Sequence, residues 1–97
     1  MKSPIDFEFL EESTETLRAI AHPIRLAVIS LLKTKGPLTV TEIFETLDIQ
    51  QAVASHHLRI MRSRNVVKVQ RDGQNSIYSL SDPEYFQIVE TMQKVLK

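Results

Sequence analysis

The spacing of apolar residues in this chain changes several times along its length, and each change marks an element. Between Asp6 and Ala21, Phe9, Leu10, Leu17 and Ile20 recur at helical spacing among polar residues, which predicts an amphipathic helix closed by a turn at His22-Pro23. Pro23 suits a first helical position, and the segment PIRLAVISLLK that follows carries Ile24, Leu26, Ala27, Val28, Ile29, Leu31 and Leu32. So dense an apolar run has to be covered on most sides, which predicts the central helix of the core. Gly36-Pro37 stops it, because glycine accepts a left-handed cap and proline cannot continue the helix.

Thr39-Val40-Thr41-Glu42 has the capping-box spacing, a hydroxyl followed three residues later by a carboxylate, and Ile43, Phe44 and Leu47 follow as one face of a short helix. Asp48-Ile49-Gln50 leaves room only for a tight turn before QAVASHHLRIMRSR, where Ala54, Leu58 and Met61 fall on one face. Two short helices joined so briefly form a helix-turn-helix. Val66, Val67 and Val69, an Asp72-Gly73 turn and a return from Ser76 to Leu80 predict a two-stranded hairpin. Ser81-Asp82-Pro83 then opens a last helix. Its Tyr85, Phe86, Ile88, Val89, Met92, Val95 and Leu96 cover too wide an arc for one small core to hide, so part of that stripe calls for a second chain. The predicted fold is mainly α with a small β-hairpin, a winged helix-turn-helix occupying residues 1–97 as a single domain.

Composition narrows the function. A chain of 97 residues, 42% of them hydrophobic, fits one globular core but buries a modest share of its surface, so self-association would add stability. With no cysteine there is no disulfide, thiolate metal site or thiol redox sensor. The acidic opening MKSPIDFEFLEESTET lacks the apolar core of a signal peptide, and no stretch approaches the roughly 18 apolar residues of a membrane span, so a cytoplasmic protein with no membrane partner is expected. Net charge is zero but segregated: Asp6, Glu8, Glu11, Glu12 and Glu15 crowd the start, whereas residues 51–71 hold Arg59, Arg62, Arg64, Lys68 and Arg71 and no acid. Such a local basic stretch is what a protein needs when only one face meets phosphates.

In a helix-turn-helix the second helix enters the major groove, which places Gln51, Ser55, Arg59 and Arg62, opposite Ala54, Leu58 and Met61, toward double-stranded DNA. Glutamine can bond an adenine edge, serine a base or phosphate, and arginine a guanine edge or phosphate. His56 projects about 100° further round and also reaches this face, while His57 turns toward the core flank. At the hairpin tip, Lys68, Arg71, Gln74 and Asn75 are placed to straddle phosphates or the minor groove. His22 stands alone at an interhelical turn and reads as a structural hydrogen-bonding residue. His56 and His57, being neighbours on a helix, cannot chelate together, nor can Ser55 and His56 pair as nucleophile and base. There is no phosphate-cradling glycine loop, so no enzyme is expected. A second reading, supported by the neutral net charge, is a protein-interaction module whose basic helix docks an acidic surface.

Over residues 17–80 the chain resembles the ArsR/SmtB family of winged-helix repressors. The likeness rests on Ala-His-Pro-Ile-Arg-Leu at 21–26, Gln-x-x-x-Ser-x-His-Leu at 51–58, and Asp-Gly-Gln followed by Ile77-Tyr78-Ser79-Leu80. The resemblance implies a homodimeric repressor on a partly palindromic operator, with Gln51, Ser55 and His56 at base-contacting positions, the hairpin as wing and the terminal helices as dimer interface. Many members of the family release DNA on binding a metal, one site being a Cys-Val-Cys segment that enters the first helix of the helix-turn-helix. Thr39-Val40-Thr41 stands there instead, and threonine is a poor ligand for soft cations. For the family's terminal-helix site Asp82 and Glu84 could supply one pair, but Val95 replaces the distal histidine and no further acid follows it. The expectation is therefore no metal and no cofactor, with Asp82 acting as a helix cap and Glu84 as a first-turn acid; any small-molecule effector is left open.

Overall fold

The structure, a computed structural model, describes residues 4–97, so the first three residues of the expected domain lie outside it. In chain order it contains α1 (Phe7–Arg18), α2 (Pro23–Lys35), β1 (Leu38–Thr39), α3 (Val40–Leu47), α4 (Gln51–Ser63), β2 (Val67–Asp72), β3 (Asn75–Leu80), a single 3-10 turn (Pro83–Tyr85) and α5 (Phe86–Leu96). Asp6 starts α1, its carboxylate accepting the Phe9 N–H at 3.3 Å. The helix stops before the expected end at Ala21. The N–H groups of Ala19 and Ile20 bond back to the Thr16 and Leu17 carbonyls at 3.1 and 3.0 Å, a tighter turn that closes the helix. His22 is then extended, at φ −162°, ahead of Pro23.

As its pattern predicts, α2 lies at the centre, with Val28, Ile29, Leu31 and Leu32 buried and packing against α3, α4, α5 and β3. With Ile20, Leu38, Ile43, Leu58, Met61, Val66 and Val67 they form the core. Each such side chain, fully buried, contributes about 1.5–3 kcal/mol. Glycine is required at two places where the backbone needs positive φ. Gly36 (φ 79°) ends α2, and Gly73 (φ 64°) takes the first position of the two-residue loop between the paired Asp72 and Asn75.

The expected hairpin gains a third strand. Leu38 and Thr39 pair antiparallel with Tyr78 and Ile77, giving the order β1-β3-β2. Two residues are too few to show strand alternation, but a helix N-cap is extended backbone, and Thr39 (φ −72°, ψ 160°) can cap α3 and pair with β3 together. The capping box is complete: Thr39 Oγ1 accepts the Glu42 N–H at 3.1 Å, and Glu42 Oε1 accepts the Thr39 N–H at 2.9 Å. That backbone bond first, and the Thr39 hydroxyl second, hold the Glu42 carboxyl below its ordinary value of 4.5. A depressed carboxylate contributes stability above its unfolded value and loses it as pH falls through the folded one. Thr39→Ala, which removes the N-cap acceptor, should cost about 1 kcal/mol. It should also raise the Glu42 titration, which urea unfolding and a carbon-detected NMR titration would read.

Asp82 is the N-cap expected of it, accepting the Glu84 N–H at 2.9 Å, although the turn it opens is 3-10 before α5 begins. Tyr85, Phe86, Ile88 and Val89 pack on the core. Met92, Val95 and Leu96 remain exposed, Val95 at 72% and Leu96 at 73%, as do Phe7, Phe9, Leu10 and Leu17 of α1. The first helix thus leaves the end of α5's apolar stripe uncovered. Between α1 and the start of α5 lies an open groove of about 380 Å³ lined by Phe9, Leu17, Ile20, Tyr85 and Ile88.

Candidate nucleic-acid interface

Helix α3 ends at Asp48, which takes the left-handed conformation (φ 54°, ψ 51°) that Asp tolerates better than most residues, and α4 starts at Gln51. This sharp turn fixes α4 by its inner face, where Ala54, Leu58 and Met61 are fully buried. The opposite face follows from helical geometry. Gln51, His56, Arg59 and Arg62 are exposed and Ser55 is half-buried, so the structure brings these five onto one accessible side. No side chain caps the start of α4 and no acid lies in its first turn.

In the wing, Lys68, Arg71 and Gln74 are all exposed. Arg71 sits opposite Ser76 in the β2–β3 register and donates from Nη1 to the Ser76 hydroxyl at 3.3 Å, a contact that steadies the guanidinium near the tip. Arg64, counted in the basic stretch, is withdrawn from the exposed outer face of α4. Its Nη2 reaches back to the Glu12 carbonyl at 3.4 Å and the Thr16 hydroxyl at 3.3 Å on α1.

Two histidines behave as the sequence predicts. His22 Nδ1 caps α2 by accepting the Ile24 N–H at 3.0 Å, and His57 is buried at 6% exposure. The sequence reading gave no role to Arg25, whose Nε donates to His57 Nδ1 at 3.0 Å. The available signal was a lone guanidinium in an otherwise apolar stretch of α2.

At the family's metal positions, Thr39 Oγ1 and Asp82 Oδ1 each accept a helix-cap hydrogen bond, and among the described residues of this chain no three His, Cys, Asp or Glu side chains are grouped to hold an ion. Nor, among these residues, is any helix long and apolar enough to cross a membrane.

A capped helix-turn-helix with an acid-free outer helix and a three-stranded wing defines a winged helix-turn-helix DNA-binding protein. A family profile described as "Helix-turn-helix domain" matches residues 20–70. The chain is 34% identical over 88 residues to the HTH-type transcriptional regulator NmtR of Mycobacterium tuberculosis, covering 91% of this chain and 72% of that protein. It is 33% identical over 91 residues to the transcriptional repressor PagR of Bacillus anthracis, covering 94% and 91% respectively. The crystal structure of PagR superposes with a TM-score of 0.78 over 90% of this chain and 99% of that one. A solution structure of a homodimeric winged helix-turn-helix domain, Mb0332 of Mycobacterium bovis, shares the fold at 22% identity, with a TM-score of 0.79 over 99% of this chain and 88% of that one. The chain belongs to the ArsR/SmtB family of DNA-binding transcriptional regulators and is not an enzyme.

Proposed function

We propose that this protein is a homodimeric cytoplasmic repressor, a single winged helix-turn-helix domain over residues 1–97, that occupies a partly palindromic operator. Two copies join through α1 and α5, and each lays α4 in a major groove. Gln51, Ser55 and His56 face base edges, Arg59 and Arg62 meet guanine edges or phosphates, and Lys68, Arg71 and Gln74 of the wing clasp the backbone or minor groove. The observation that carries this reading is the outer face of α4, exposed and without an acid from Gln51 to Arg71, beside a cationic wing. Support for the dimer comes from the exposed apolar residues of both terminal helices and from the homodimeric state of the Mb0332 domain.

The test is retention of genomic DNA fragments by the protein, followed by sequencing. A repressor enriches a few related, partly palindromic sequences, whereas a protein-docking module enriches none. On an enriched duplex, Gln51→Ala should cost about 1–3 kcal/mol and relax preference at one position of the site. Arg71→Ala should weaken all duplexes alike and reduce the salt slope by about 1. Equal affinity for every duplex, before and after Gln51→Ala, would show the base-reading assignment to be wrong.

A further inference from the structure

Three elements meet at one buried ring. Arg25 of α2 donates from Nε to His57 Nδ1 on α4 at 3.0 Å and from Nη1 to the Arg18 carbonyl at the end of α1 at 3.0 Å. His22 tilts over the same ring with centroids 4.2 Å apart. Because His57 Nδ1 accepts a hydrogen bond, its ring must be neutral with the proton on Nε2.

We propose that Arg25 and His57 are positioning residues for DNA reading: the guanidinium ties the neutral ring on the reading helix to the end of α1, and one proton on that ring breaks the tie. The inference rests on α4 being the DNA-contacting helix. Since α1 belongs to the proposed dimer face, the bond sets how α4 is held relative to the dimer, and thus the spacing of the two reading helices.

Protonation of His57 removes the acceptor at Nδ1 and sets an imidazolium against a guanidinium. The groups acting on the ring are His22 from the α1–α2 turn, Arg25 from α2 and His56 beside it on α4, and no carboxylate is among them. From the elements packed on α4, Lys33 and Lys35 of α2, Glu42 and Glu45 of α3, and Lys68, Arg71 and Asp72 of β2 are exposed, and none is among the groups acting on the ring. Burial above all, then His22, Arg25 and His56, pushes the His57 pKa below its ordinary 6.5. In the window between the folded value and 6.5 the unfolded chain binds more protons. Stability is therefore full above 6.5 and declines as pH falls toward the folded value, at which His57 itself takes up a proton and its bond to Arg25 is lost.

The experiment measures the affinity of the full chain for a duplex retained from genomic fragments, from about pH 7.5 down through the pH at which His57 is seen to titrate. It is paired with an NMR titration of the imidazole nitrogens. Wild-type affinity should fall about tenfold on acidification. His57→Gln keeps an acceptor for Arg25 and cannot titrate, so it should bind within about threefold of wild type at neutral pH and lose the acid fall. Arg25→Met should weaken binding about tenfold at neutral pH with the helical circular dichroism intact. His22→Asn, which caps α2 without titrating, should retain the acid fall.

His57 should appear as the Nε2–H tautomer titrating below ordinary histidine. A His57→Gln profile that matches wild type, or His57 found as the Nδ1–H tautomer at neutral pH, would overturn the inference while leaving the DNA reading intact. A wild-type chain that retains no duplex at any pH would overturn the DNA reading, and the inference with it.

Discussion

Leu58→Ala should lower the free energy of unfolding by about 3 kcal/mol, within the 2–5 kcal/mol range of fully buried leucines. Leu58 has no exposed surface and sits in the core cluster with Ile43 and Met61, so truncation loses its burial and leaves a cavity that the flanking helices cannot close. A domain of this size holds about 5–15 kcal/mol in total, so the loss is a large fraction of it. In urea the midpoint should fall by about 2 M with an unchanged slope. Because a dimer gains stability with concentration, both proteins must be unfolded at one protomer concentration. A loss under about 1 kcal/mol would mean that the inner face of α4 is not packed as described, and the rigid presentation of Gln51 and Arg59 would lose its basis.

Leu17→Glu combined with Val95→Glu should convert the proposed dimer to monomer at micromolar protein, raising the dissociation constant about a hundredfold or more. The two residues lie on the two terminal helices and are exposed at 48% and 72% in the single chain, outside the core, so the fold should survive with its circular dichroism unchanged. In the proposed dimer each substitution acts twice by symmetry and puts an unpaired carboxylate into an apolar interface. Operator affinity should fall about a hundredfold as well, since two reading helices no longer bind as one linked unit. Sedimentation velocity gives the first result and duplex titration the second. A double variant that sediments as a dimer would move the interface away from α1 and α5.

Much of the fold was legible in the sequence because its signals are local. Thr39 and Glu42 stand three residues apart and form the reciprocal cap that their spacing predicts. Ala54, Leu58 and Met61 repeat with the helix period and are all buried, which fixes the outer face by exclusion. Gly73 marks the hairpin turn, although the loop is Gly73-Gln74 and Asp72 pairs with Asn75 as the last residue of β2, and the density of apolar residues in α2 requires its central place. Less legible were features made by residues far apart in the chain. Strand β1 exists because β3 returns beside it, and Leu38 and Thr39 alone show no strand period.

Arg64 looks like one more base after Arg59 and Arg62, yet helix α4 ends there and its side chain turns back to α1 rather than outward. Likewise Arg25 carries no motif of its own. Its role appears only when a histidine 32 residues away is brought to 3.0 Å. Periodicity, caps and turn residues thus settled by themselves which segments are helix or hairpin and which face of each is apolar, because these depend on backbone geometry within a few residues. Tertiary packing alone decided which charged groups remain free for a ligand and which bind one helix to another, because a guanidinium on a long side chain goes to whatever acceptor the fold places within its reach.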